Sequence, residues 1–261
     1  MAPTRRLIAR LDIKPPDLIK TVNLEGVRIV GDPLAFATRY NDEGADELIY
    51  LDAVASLYRR NGILDLVERA TEHVFCPVTV GGGLQSLEDA RRAFNAGADK
   101  IALNSAVVRR PELITELAHK YGNQAVVLQI DAKRKLDGSY EAYTDGGREP
   151  SGKDAVAWAQ EAAARGAGEI LVTSIDREGT RRGCDTELVQ GLSDIRVPVV
   201  ISGGIGRPEH VIAAFRAGAD AVAMAHVLHY RTCSLADIRM AATEAGFHVR
   251  PVEAVTEKET I

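Results

Sequence analysis

Two aspartates end two apolar runs in this chain: Asp12 in "LDIK" (11–14) and Asp131 in "IDAK" (130–133). A carboxylate at the end of a buried strand can serve as a general base or, with a raised pKa, as a general acid. Either one alone reads as well as the partner of its neighbour, Lys14 or Lys133, or as a loop cap. As a pair at matching places, they favour catalysis. Asp52 and Asp176 also follow apolar runs. Asp176, in "TSIDREGT", is a candidate for substrate hydroxyls, and Asp52 for a structural role.

Two glycine runs supply a second chemistry. "GGGLQS" (81–86) and "SGGIGRPE" (202–209) each follow an apolar run and open a helical pattern. Glycines let the backbone approach a ligand, and free N–H groups at helix starts attract anions. One such run could be a plain tight turn. Two runs, with Ser105 and His226 nearby after the next apolar runs, point to two phosphate cups and a ligand with a phosphate at each end. A third group is charged. Arg6, Glu47, Lys100 and Glu169 each stand at the start of an apolar run. They read either as a solvated rim or as a ring of alternating sign that gates a passage. His226 and His229 form an HxxH without a suitably spaced third ligand, so no metal site is expected. No cofactor is expected either.

The elements that must hold these residues recur along the chain. Strand candidates run over 6–12, 48–52, 77–81, 100–104, 125–131, 169–174, 197–202 and 221–225. Helical patterns such as "PLAFATRYNDEG" and "RPELITELAHKYG" lie between them. Near-continuous apolar strands alternating with helices argue for a parallel sheet covered by helices, and eight units at this length argue for a closed (β/α)8 barrel, a TIM barrel. Asp12 and Asp131 then end strands one and five, across the mouth from each other. An open doubly wound sheet is disfavoured, since no GxGxxG follows the first strand.

The halves echo each other. "GADELIYLD" from Gly44 matches "GAGEILVTS" from Gly166, and "GADKIALNS" from Gly97 matches "GADAVAMAH" from Gly218. With the aspartate and glycine motifs, all four offsets fall between 119 and 122 residues. Such a repeat reads as a duplicated half-barrel. We therefore expect one barrel over 1–261, with halves at about 1–124 and 125–250 and a polar tail at 251–261. The connections 13–32 and 132–153 are long and are expected to be loops at the C-terminal face, where barrel active sites lie.

Composition sets the remaining bounds. The 261 residues carry a net charge of −5, which gives no electrostatic reason to expect nucleic acid or an anionic membrane. Cys76, Cys184 and Cys233 are widely spaced and suggest reduced thiols in a cytoplasmic protein. No apolar run approaches membrane-spanning length, and the N-terminus lacks a signal-peptide pattern.

These motifs carry a family resemblance over about residues 5–250. "NDEGADELIYLD", "TVGGG", "GADKIALNS", "IDAKR", "GAGEILVTSIDREGT" and "SGGIG" resemble the cyclase subunit of imidazole glycerol phosphate synthase, of the histidine pathway. The resemblance implies a (β/α)8 barrel that receives ammonia from a glutaminase subunit docked on its N-terminal face. Ammonia then passes up the axis and reacts with N'-phosphoribulosyl-formimino-aminoimidazole-carboxamide ribotide, a bisphosphate. The implied acid–base pair is Asp12 and Asp131, with Lys20 as a binding lysine. The implied phosphate contacts are Gly83, Asn104 and Ser105 in one half, and Gly203, Gly204, Ala225 and His226 in the other. Thr173, Asp176, Gly179 and Ser202 complete the expected binding set. The implied channel gate is Arg6, Glu47, Lys100 and Glu169.

Departures from the family pattern cluster around the substrate. The first loop reads "KPPDLIKT"; Arg10 replaces a usual Cys, Gln129 a small residue, Glu178 an Asp, and His226 a Ser. They leave room for a paralogue that partners a glutaminase to supply ammonia for amidation of a surface-polysaccharide sugar. "RLDIK…LIK" and "HVLHYR" resemble that group too. A related phosphoribosyl isomerase is a third reading; it shares the repeat and the Asp pair but needs no axial gate.

Overall fold

The computed structural model describes residues 4–55 and 62–251. The expected polar tail, from Val252 onward, lies outside the described residues. Eight parallel strands close into a barrel: β1 (Arg6–Lys14), β4 (Glu47–Asp52), β5 (Val78–Gly81), β6 (Lys100–Leu103), β7 (Val126–Arg134), β10 (Glu169–Ser174), β11 (Val199–Ser202) and β12 (Ala221–Met224). Closure comes from β12 pairing with β1 and from β10 pairing with β7, where Thr173 lies opposite Asp131. All eight coincide with the expected strands to within a few residues.

The two long connections are not loops. After β1 the chain turns into the hairpin β2 (Asp17–Val22) and β3 (Glu25–Gly31). After β7 it turns into β8 (Tyr140–Thr144) and β9 (Glu149–Asp154). β2 pairs antiparallel with the end of β1, and β8 with the end of β7, so each hairpin extends a barrel strand above the mouth. The pairing sets Asp12 opposite Ile19 and Asp131 opposite Tyr143. The hairpins therefore grip the two aspartate-bearing strand ends from outside.

Side chains alternate across each strand, so every second residue faces the axis. Outward residues such as Leu7, Leu48, Val80, Ile101 and Val126 pack under the helices in one large core. Inward residues form a separate apolar cluster that includes Ile8, Ile49, Ala102, Val127, Leu171 and Val200. Helix starts are fixed locally. Asp32 accepts from Ala35 N at 2.9 Å ahead of Pro33, and Ser234 forms a capping box with Asp237. Trp158, on the helix Ala155–Arg165, is fully buried in the outer core.

Candidate active site

The barrel interior is stacked in three layers, and the period-2 register of β1 samples them in turn. Arg6 lies at the bottom, Ile8 in the apolar middle, and Arg10 and Asp12 at the top. In the bottom layer Arg6 and Lys100 alternate with Glu47 and Glu169. Arg6 donates to both carboxylates, and Lys100 Nζ donates to Glu47 Oε2 at 3.0 Å and Glu169 Oε2 at 2.9 Å. Each glutamate thus bridges both cations in a closed ring beneath the apolar layer. Both glutamates are buried, while the cations keep some exposure. A merely solvated rim would not close on itself this way.

The top layer holds the aspartate pair. Asp12 does not pair with Lys14; its Oδ1 accepts from Arg10 Nε at 2.9 Å. Arg10 also donates from Nη1 to Thr173 Oγ1 at 2.7 Å and to Ser202 Oγ at 3.1 Å. The guanidinium therefore reaches from β1 to β10 and β11 across the barrel interior. Asp131 likewise ignores Lys133. Its Oδ2 accepts from Asn104 Nδ2 at 3.0 Å, and Gln129 Nε2 lies 3.4 Å from Oδ1. Burial pushes the Asp131 carboxyl up to about 6, with Arg10 pulling the other way and the charge of Asp12 adding to the rise. That value sits near neutrality, where a proton-transfer group works best.

Above the pair opens a cavity of about 410 Å3, lined by Asp12, Asp131, Gly82, Gly83, Asn104 and Ser105 among others. Its size suits a small-molecule ligand. Asn104 also donates to Tyr143 O at 3.1 Å, so one amide ties Asp131 to the hairpin. Ser105 Oγ accepts from Asp145 N at 2.9 Å. Asp52 accepts from Val54 N and Gly62 N, both at 3.1 Å.

The second glycine cup has the same backbone form. Gly82 and Gly83 adopt φ of +89° and +71°, and Gly203 and Gly204 adopt +102° and +86°. Side chains rarely tolerate such values. At Gly204 an added Cβ would also meet Gly183 O at 2.1 Å. Gly204→Ala is expected to destabilise the fold by about 1–3 kcal/mol in denaturant unfolding; an unchanged midpoint would show that the loop can shift freely. This second cup gathers Lys20, Gly179, Ser202, Gly203, Gly204, Ala225 and His226, the expected group. Burial, followed by the charges of Arg181 and Lys20, holds His226 below the usual imidazole range.

Asp176 stands apart from the other expected site residues. It is exposed, accepts from Arg134 N at 2.9 Å, and lines neither cup. Conversely, Arg10, Gln129 and Glu178 enter the site although the sequence marks them only as departures from a pattern. Arg109 and Arg148 also line the large cavity and were not foreseen. Burial pushes His229 down to about 3; it stacks on Tyr40, whose hydroxyl lies 2.6 Å from Nδ1. Among the described residues, no group of His, Cys, Asp and Glu could hold a metal ion, and no helix is long and apolar enough to cross a membrane.

Known proteins share this frame. The model of a family described as "Histidine biosynthesis protein" matches residues 6–234. A Myxococcus xanthus protein named imidazole glycerol phosphate synthase subunit HisF is 49% identical over 249 residues, covering 95% of this chain and 98% of its own. Proteins of the same name from Legionella pneumophila and Pyrobaculum aerophilum are 54% and 49% identical, over 78% and 94% of this chain and 97% and 98% of their own. Matched by the family model over most of its length, and near half-identical to full-length relatives, the chain belongs to the histidine biosynthesis protein family.

Proposed function

We propose that this chain is the ammonia-dependent cyclase subunit of imidazole glycerol phosphate synthase. It converts the ribulosyl-formimino bisphosphate to imidazole glycerol phosphate and aminoimidazole carboxamide ribotide. The layered interior carries this reading: a closed charged ring, an apolar layer, then an aspartate pair at the mouth of a ligand-sized cavity. Ammonia is small and neutral, so an apolar passage suits it better than it suits any ion. The ring faces the N-terminal side, where a glutaminase subunit would dock and release it. At the mouth Asp12 and Asp131 move protons, Lys20 and the cups hold the phosphates, and Asn104 orients Asp131. The relatives named above carry the synthase name, which favours the cyclase over a sugar-amidating paralogue. The closed ring weighs against an isomerase, which has no ammonia to pass.

The deciding experiment incubates the purified chain with the bisphosphate and an ammonium salt. Formation of imidazole glycerol phosphate supports the cyclase; no product, with tight glutaminase binding, selects the ammonia-supplying alternative. Lys100→Ala, or Arg6→Ala, opens the ring and is expected to disturb glutamine-dependent turnover several-fold more than turnover with added ammonium. Equal losses in the two assays would reduce the ring to a structural brace.

A further inference from the structure

The two glycine cups share a backbone form but not a vacancy. The first opens into the cavity of about 410 Å3. The second keeps only about 10 Å3, room for one water at most. Three of its polar side chains are already engaged within the chain. The Lys20 ammonium donates to the Glu178 carboxylate and to Thr21 O at 2.8 Å. The Ser202 hydroxyl accepts from Arg10. Lys20 and Glu178 are each 4% exposed, so neither side chain is idling at the surface. Glu178 is held from behind as well: its backbone N donates to Ser174 O at 3.0 Å, and Gly203 packs against that backbone.

An anion at that seat therefore meets a cation that already has a carboxylate partner. Two like charges a few ångströms apart in a buried site repel strongly. We propose that Glu178 is a specificity-determining residue of the second cup: its carboxylate occupies the anion seat beside Lys20, and a phosphate enters there only by displacing it. The inference rests on reading the mouth as a bisphosphate site. It makes the two cups unequal: a phosphate monoester seats in the first without disturbing the chain, and a bisphosphate engages the second only after the Lys20–Glu178 pair opens. Lys20 and Glu178 lie 158 positions apart in the sequence and meet only in the fold.

Titration of the full chain with inorganic phosphate alone, followed by calorimetry, tests this without any turnover. The wild-type chain is expected to take up one equivalent. Glu178→Gln keeps the shape, removes the charge, and is expected to bind a second equivalent at least tenfold more tightly than wild type does. Glu178→Ala, which removes the carboxylate and leaves the seat open, provides the second variant should the Gln form fold poorly; it too should gain the second equivalent. Adding Lys20→Met to Glu178→Gln should remove the gain. Two equivalents of like affinity in wild type, or one equivalent in both Glu178 variants, would overturn the proposal. No phosphate uptake by any form would overturn the bisphosphate reading itself, and the inference with it.

Discussion

Asp131→Asn is expected to lower ammonia-dependent cyclisation by about 10²–10⁴-fold, the usual contribution of a positioned acid–base group. The same substitution is expected to stabilise the fold at neutral pH. The two effects have one cause. Burial raises the Asp131 carboxyl to about 6 in the folded chain, against about 3.9 for an unfolded aspartate. Such a group favours folding only while protonated. Its contribution is complete below about pH 4 and is lost as pH rises through about 6. Above that, the buried charge weakens the fold by about 2–3 kcal/mol, which an amide avoids. Unfolding curves of the two forms should converge near pH 4 and separate by pH 7–8, with the variant more stable. The pH–rate profile of the wild-type chain should show an ionisation near 6. A variant with wild-type turnover, or with no pH-dependent gain in stability, would remove Asp131 from the role given to it.

Arg10→Met carries the second large effect. Arg10 is buried, and so is its partner Asp12, which meets Arg10 through Oδ1 and whose Oδ2 has no hydrogen-bond partner among the described residues. Removing one member of a buried ion pair leaves the other uncompensated and typically costs about 3–5 kcal/mol. Thr173 and Ser202 would lose a donor at the same time. The double variant Arg10→Met, Asp12→Asn should recover part of that loss, because Asp12 no longer leaves a carboxylate stranded, while buried Asp131 still lacks the opposing charge of Arg10. Chemical denaturation of the four forms gives the coupling directly. Strict additivity would mean that the two side chains do not depend on each other.

The barrel itself was legible because its strands are near-continuous apolar runs, as in "EILVTS" and "VPVVIS", buried on both faces. The hairpins were not. "DLIKTV" has an apolar pattern, but it pairs with the end of β1 over only three residue pairs, and β3 is largely exposed. The turn signal was present: Asn23 and Leu24 take φ of +52° and +61°, and asparagine is a residue that accepts such values. In the site, the aspartates were readable from their place at strand ends. Their partners were not. Arg10 finds Thr173 and Ser202, 163 and 192 positions away, and Lys20 finds Glu178, 158 positions away. A residue whose partner lies on the far side of a barrel leaves no local pattern. The sequence flags it only as an odd charge in an apolar stretch, as in "IARLD".

Closing a sheet on itself normally leaves it without free edges, yet the two hairpins restore a pair of them on the outer sides of β3 and β9. An unpaired backbone row can recruit another chain and seed aggregation. Both rows are blunted. β9 carries Pro150, which cannot donate, with Gly152 and Lys153 following, and its register against β8 is broken between Glu141 and Tyr143. β3 carries Glu25 and Arg28 and shifts register twice against β2. The same irregularities that hide these strands from a reader of the sequence keep neighbouring molecules from adding a strand of their own, so the chain can raise two ribbons above its mouth at high concentration without stacking through them.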